Sequence, residues 1–367
     1  GAAVSGCLGG GSGADNSNAT TTASDSPNST TGSDTDEEEL PDVSYRHRYE
    51  RTMSSAVNAY GEKQQVWETE GIDVDFVLGT GSSATAQAVG TGEDEFGNTR
   101  IGPIMNLIQE EASMKIIGQA IGPMAGVLSL EEAGITSWSD LKGKTVGRYP
   151  WGSTGELTKA AMEQKGQDPS TVTWQSMQPG SELQILMEGK IDAAVTYFPQ
   201  AVIRLRKRGY DSNVLVLADV LDNLGVSVIA RERLIENEPD LVNNFVRGWL
   251  KAHQLYVTEL DQLIEYHKTH VAEFNEEIER ETMGALYASR VPPKESGLEH
   301  GKGWTSKEKL KKTQEVFHSA GLLEETVDVE EYYTNEFIER NKDLAIETAE
   351  TYYEELENNW DVGPNYV

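Results

Sequence analysis

Between residues 43 and 231, short apolar runs with period-two alternation take turns with segments whose apolar positions recur every three or four residues. The first pattern places alternate side chains on one face of a strand, and the second lays an apolar stripe along a helix. Strands are predicted over 43–49, 72–78, 96–97 and 114–120, with helices over 54–70, from 84 to 89, and over 101–111. A second block repeats the order, with helix 139–141, strand 145–148, helix 155–164, strand 172–174, helix 181–187, strand 193–196 and helix 200–208. Two successive βα blocks imply an α/β fold. A return strand is predicted over 226–230. Beyond Arg231 the pattern is amphipathic helix, over 239–260, 273–286, 307–319 and 344–360, with Tyr352 and Tyr353 on a packing face. Upstream, residues 8–39 carry almost no large apolar groups and end in the acidic run Asp34, Asp36, Glu37, Glu38 and Glu39, the composition of a disordered linker.

Composition narrows what such a fold can do. A chain of 367 residues with 37% hydrophobic content can bury one large core or two medium ones, and two lobes are expected. Its 61 acidic against 31 basic residues give a net charge of −30, which repels phosphate backbones and excludes nucleic acid as a partner. Such an excess is tolerable in molar salt, where the Debye length falls to about 3 Å, and it implies a salt-loving source. No stretch is long and apolar enough to span a bilayer. The single cysteine, Cys7, rules out an intramolecular disulfide or a cysteine-based metal cluster. It follows Val4, Ser5 and Gly6, the small-residue pattern of a lipid-attachment site at the end of a secretory signal, which implies an anchor on Cys7. Asn18 and Asn28 head glycosylation triplets in the same tether.

Four strand ends carry candidate chemistry. The stretch Leu78, Gly79, Thr80, Gly81, Ser82, Ser83 runs from a strand through a glycine turn into a helix, where free amides and the helix dipole favour a small anion or polar head. Its spacing imitates a dinucleotide fingerprint, but the acidic residues Glu93, Asp94 and Glu95 come before the next strand instead of ending it. A second turn, Arg148 to Gly155, brings Trp151, Ser153 and Thr154 to a helix start, where the hydroxyls either cap the helix or touch a ligand. Asn98 and Thr99 form a third end, and Asp192 with Tyr197 and Phe198 a fourth. Open α/β sheets bind ligands outside the carboxyl ends of their strands, so these ends together suggest a cleft between two lobes. No catalytic serine elbow and no zinc-binding His spacing occurs; His267 and His270, three apart, read as solvated surface residues, and neither a cofactor nor a metal is expected.

At this point the chain resembles the solute-binding lipoproteins of ABC importers in the nitrate, sulfonate and taurine group, which includes binders of thiamine pyrimidine precursors. The segments that carry the resemblance are Glu70 to Val74, Gly79 to Ser83, Gly92 to Gly97, Trp138 to Gly147 and Gly189 to Ala194. The resemblance implies a two-lobed type 2 periplasmic-binding-protein fold. Residues 43–127 and 224–340 would form lobe one, 128–223 lobe two, and 341–367 a C-terminal helical extension, after a signal remnant and linker over 1–42. It further implies that Gly81, Ser82 and Ser83 hold a small solute from one lobe and Trp151, Ser153 and Thr154 from the other, with Tyr197 and Phe198 at the mouth and Asp192 capping or binding. The partners it implies are a permease and ATPase complex, for a monomeric protein outside the cell membrane. An enzyme or a sensory domain on the same fold is the alternative, although the enzyme relatives use a cysteine-rich motif that this chain lacks. Gln200 stands where pyrimidine binders carry a carboxylate, and Arg46, Arg48, Arg51, Arg100 and Arg148 are available to offset the acidic field around an anion.

Overall fold

The computed structural model describes residues 40–48, 55–109, 112–150, 153–178, 180–271 and 274–360. Cys7, Asn18, Asn28, the tether, Arg51 and Trp151 lie outside them. In chain order the strands are β1 (Asp42–His47), β2 (Asp73–Leu78), β3 (Phe96–Arg100), β4 (Met114–Ile121), β5 (Ala125–Leu130), β6 (Thr145–Arg148), β7 (Thr173–Ser176), β8 (Ala193–Tyr197), β9 (Ser212–Val216) and β10 (Val226–Arg231). The helices are α1 (Ala56–Lys63), α2 (Ser82–Thr91), α3 (Ile101–Gln109), α4 (Thr154–Gln164), α5 (Glu182–Met187), α6 (Phe198–Lys207), α7 (Glu232–Asn237), α8 (Pro239–Thr258), α9 (Leu260–Lys268), α10 (Glu276–Arg290), α11 (Lys294–His300), α12 (Lys307–Ser319), α13 (Glu336–Arg340) and α14 (Lys342–Asn359).

The strands form two five-stranded sheets with the same plan, ordered β2-β1-β3-β10-β4 and β7-β6-β8-β5-β9. In each, four strands run in one direction and the fourth in order, β10 or β5, runs against them, antiparallel to both neighbours. This is the α/β architecture expected from the two βα blocks. Strands β5 and β9 were not legible as strands. All six positions of β5 are buried, so no polar alternation marks it. Its start at Ala125 puts residues 125–127 in the second sheet, slightly earlier than the boundary expected from sequence.

Two connections join the sheets, residues 122–124 after β4 and residues 217–225 after β9. They touch backbone to backbone at Gly225. A Cβ there would sit 2.3 Å from the Ile121 carbonyl oxygen and 2.4 Å from the Gly122 carbonyl carbon, so only glycine lets the two chains pass.

The first sheet is backed by an aromatic core. Phe96 stacks on Phe245 with centroids 3.8 Å apart, and Tyr45 meets Phe76 and Phe245 edge on. Long helix α8 buries Val242, Phe245, Val246, Trp249 and Leu250 at helical spacing, which is why an otherwise polar stretch docks here. The α14 segment is part of this core, since Tyr352 is fully buried and its hydroxyl lies 2.7 Å from His253 Nδ1. Another apolar cluster crosses between the sheets, joining Ile101 and Met105 of α3 to Leu157 of α4, Leu224 and Phe317 of α12. Burying each such side chain contributes roughly 1.5–3 kcal/mol, so the two sheets share packing as well as two connections.

Candidate functional site

Strands β1 and β3 of the first sheet and β8 of the second turn their carboxyl ends toward one cavity of about 350 Å³. Its floor is made by the two connections, including Gly122, Pro123, Leu224 and Gly225. From the first sheet come His47 and Arg48 after β1, and Asn98 and Arg100 of β3. Period-two alternation puts Asn98 and Arg100 on one face of β3 and Thr99 on the other. The second sheet adds Tyr197 at the end of β8, and Ser153 and Thr154 at the start of α4. Gln200 of α6, Thr282 and Leu286 of α10, and Phe317 of α12 complete the wall.

A buried polar string braces the first-sheet side. Asn98 Oδ1 accepts from the Arg48 backbone N–H at 3.3 Å and from Arg48 Nη1 at 3.4 Å, so its amide nitrogen is the end that faces His47 Nδ1, 3.2 Å away. Asn58 Nδ2 lies 2.9 Å from His47 Nε2, so an asparagine amide faces each ring nitrogen and holds the imidazole in place. The neighbouring Tyr45 hydroxyl is pushed up to about 12 by burial, so it stays neutral.

Charge is distributed unevenly over this wall. Arg48 and Arg100 both line the cavity, while no Asp or Glu does among the described lining residues, in a chain of net charge −30. The Arg100 guanidinium lies 3.7 Å from the centroid of the Tyr197 ring, which orients both groups. Of the other arginines proposed from sequence, Arg46 is taken up by Asp94 and by Glu93 at 2.8 Å, and Arg148 pairs with Glu156 at 3.2 Å.

The structure therefore brings Asn98, Ser153, Thr154 and Tyr197 to one cavity, and sets the other described site residues elsewhere. Gly81 and Ser83 belong to the start of α2, and the Ser82 hydroxyl is buried without a hydrogen-bond partner. The Thr99 hydroxyl donates to the Ser82 carbonyl at 2.7 Å, closing that turn on its own sheet. Asp192 sits before β8, at the opposite end from Tyr197, and accepts from the Thr145 N–H at 2.7 Å. Phe198 is 4% exposed and packs near Gly126. Ser153 makes no side-chain cap, which leaves its hydroxyl to the cavity. His267 corrects the surface reading, being 3% exposed with its ring edge on Phe274. Sequence reasoning missed His47, Thr282, Leu286 and Phe317. The last three sit on helical stripes that look like any other core stripe.

Comparison with known proteins places this geometry. The NMT1/THI5-like family model matches residues 59–261, more than half of the chain. The chain belongs to the NMT1/THI5-like family. Among curated relatives in this comparison, the riboflavin-binding protein RibY of Chloroflexus aurantiacus is 28% identical over 214 residues, 56% of this chain and 58% of that protein. A Brucella abortus protein described only as a candidate binding protein is 24% identical over 301 residues, 77% of this chain and 87% of its own length. The alkanesulfonate-binding protein SsuA of Xanthomonas axonopodis, solved with MOPS, superposes with a TM-score of 0.61 at 16% identity, covering 81% of this chain and 99% of that one. The nitrate-binding protein NrtA of Synechocystis superposes at 0.60 with 10% identity, covering 87% and 98%. These likenesses establish the type 2 periplasmic-binding-protein fold for this NMT1/THI5-like chain.

Proposed function

We propose that this chain is the solute-binding component of an ABC import system and holds a small organic solute in the cavity between its sheets. The observation that carries the reading is the pairing of Arg48 and Arg100 in a cavity whose described lining has no carboxylate. A guanidinium binds planar oxyanions and carbonyl edges through forked hydrogen bonds, and low dielectric strengthens both contacts. The rest of the wall is largely apolar, with Met124, Leu157, Leu224, Leu286 and Phe317. Nitrate alone would leave most of 350 Å³ unfilled, which favours an organic sulfonate over the inorganic ion. A second reading, a carbonyl-rich ring such as a flavin or a thiamine pyrimidine precursor, is supported by the riboflavin-binding relative and by the Gln200 amide on the wall. Lobe one is proposed as the first sheet with its helices, α14 included, and lobe two as the second sheet from Ala125 onward with its helices, the solute joining them. The protein acts outside the cell membrane, tethered through a lipid on Cys7, and hands its solute to a permease and ATPase.

Calorimetry in high salt with ethanesulfonate, taurine, nitrate, riboflavin and an aminopyrimidine tests the reading. One class should bind with Kd near or below about 1 μM, roughly −8 kcal/mol. Absence of heat from all five removes the solute-binding reading. Metabolic labelling with a lipid precursor should be lost in Cys7→Ser, and equal labelling of the variant removes the anchor.

A further inference from the structure

Gln200 faces two ways. It lines the cavity, and its Nε2 donates to both carboxylate oxygens of Glu279 on α10, at 3.0 and 3.2 Å. Glu279 is 8% exposed and does not line the cavity itself. An ionised carboxylate only accepts, so it holds the donor end of the Gln200 amide toward α10. The polar atom left for the cavity is Oε1, and none of the described hydrogen bonds engages it. Had residue 200 been a carboxylate, as in the pyrimidine binders, two like charges would meet here at hydrogen-bonding distance.

Glu279 is a costly residue to keep. Burial pushes its carboxyl up from the ordinary range, and the charge of Arg204 and the Gln200 amide offset only part of this. A buried carboxylate of this kind beside a cavity, paired by hydrogen bonds with a wall residue, marks a functional arrangement more than a stabilising one.

We propose that Glu279 is a positioning residue that sets solute specificity by pinning the Gln200 amide, so that the cavity offers a carbonyl acceptor beside the two guanidiniums and favours solutes carrying an N–H donor next to their oxygen-rich head. This rests on the solute-binding reading. It deepens that reading because it selects within each solute class. Taurine differs from ethanesulfonate by its ammonium donor, and riboflavin differs from 3-methylriboflavin by its ring N–H.

The test is calorimetry on the full chain with these two matched pairs, in the wild type, Gln200→Met and Glu279→Leu, the last leaving no acceptor for the Gln200 amide. In the pair that binds, the donor-bearing member should be about tenfold tighter in the wild type, and the advantage should shrink to about threefold or less in both variants. Equal affinity within the pair in the wild type, or an undiminished preference in Glu279→Leu, overturns the inference while leaving the solute-binding reading intact. If no member of either pair binds, the sulfonate and flavin readings fail, and the inference fails with them. A second readout needs no solute. In protein labelled with ¹⁵N-glutamine, the side-chain NH₂ signal that disappears in Gln200→Met should be shifted downfield and protected from exchange, and Glu279→Leu should release it. An unchanged signal in Glu279→Leu overturns the pinning.

Discussion

The turn after β2 and the turn after β6 look alike in sequence and end differently. Both run from a strand through glycine and hydroxyl residues into a helix. In the first, Gly79 lies so close to β1 that a Cβ would sit 2.1 Å from the His47 carbonyl oxygen, and Thr99 binds the Ser82 carbonyl. Gly81 there has φ of +146°, yet nothing lies within 4 Å of where its Cβ would be, so this glycine serves the backbone angle and not a close approach. In the second, Ser153 and Thr154 line the cavity between the sheets, and the Ser153 hydroxyl is unused as a cap. The lesson is that a glycine turn at a helix start reports a tight backbone, and its surroundings decide whether that tightness serves a neighbouring strand or a ligand.

The largest effect should come from the first turn. Gly79→Ala forces β1 and α2 apart and is expected to cost about 2–4 kcal/mol, read as a lower denaturant midpoint at unchanged slope. A neutral result would mean that the two strands do not approach as closely as described. Next is Arg100→Met, which removes a guanidinium from the cavity and should weaken solute binding by more than about tenfold, roughly 1.4 kcal/mol, with little change in melting temperature. Unaltered affinity would take Arg100 out of the site.

Ser82→Ala sharpens the comparison most directly. Its hydroxyl is buried without a partner, so the variant should be as stable as the wild type or slightly more so, and should bind solute equally well. A several-fold loss of affinity would instead bring the first turn into the site. Thr154→Ala, in the second turn, should cost a solute-bound hydrogen bond of about 0.5–1.5 kcal/mol, seen in calorimetry and absent from thermal melts.

The smallest effect concerns pH. Glu279 has a raised folded-state value, so the folded protein holds this proton more tightly than the unfolded chain does. Its contribution to stability is therefore greatest below the ordinary carboxylate range and is lost as pH rises through the raised value. Glu279→Gln should flatten the stability profile between those two limits. It should also be no less stable than the wild type at neutral pH. A variant that melts well below the wild type at pH 7 would make Glu279 a stabilising residue.

Much of the frame was legible because local periodicity reflects burial on one face. The strands at 72–78 and 145–148 and the helices at 155–164 and 307–319 emerge within a residue or two of their expected ends. The exceptions are instructive. β5 is buried along its whole length, and β9 has three half-buried residues before two buried ones, so neither shows alternation. The candidate site was half legible. Asn98, Ser153, Thr154 and Tyr197 follow from the rule that ligands gather at strand carboxyl ends. Asp192 failed to join them because it precedes its strand. The sequence also supplied five arginines with no means of ranking them, and among the described residues only Arg48 and Arg100 line the cavity.

By itself the sequence determined the α/β class, the two-block organisation, the excess of negative charge and the family resemblance, because each depends on composition or on spacing along a few neighbouring residues. Only the tertiary structure decided which strand ends share a cavity, that Arg48 and Arg100 line it, and that Glu279 lies behind Gln200, 79 positions earlier in the chain. Those relations depend on how two sheets are set against each other by connections that meet at Gly225. Contacts of that kind join residues too far apart in the chain for any local pattern to record.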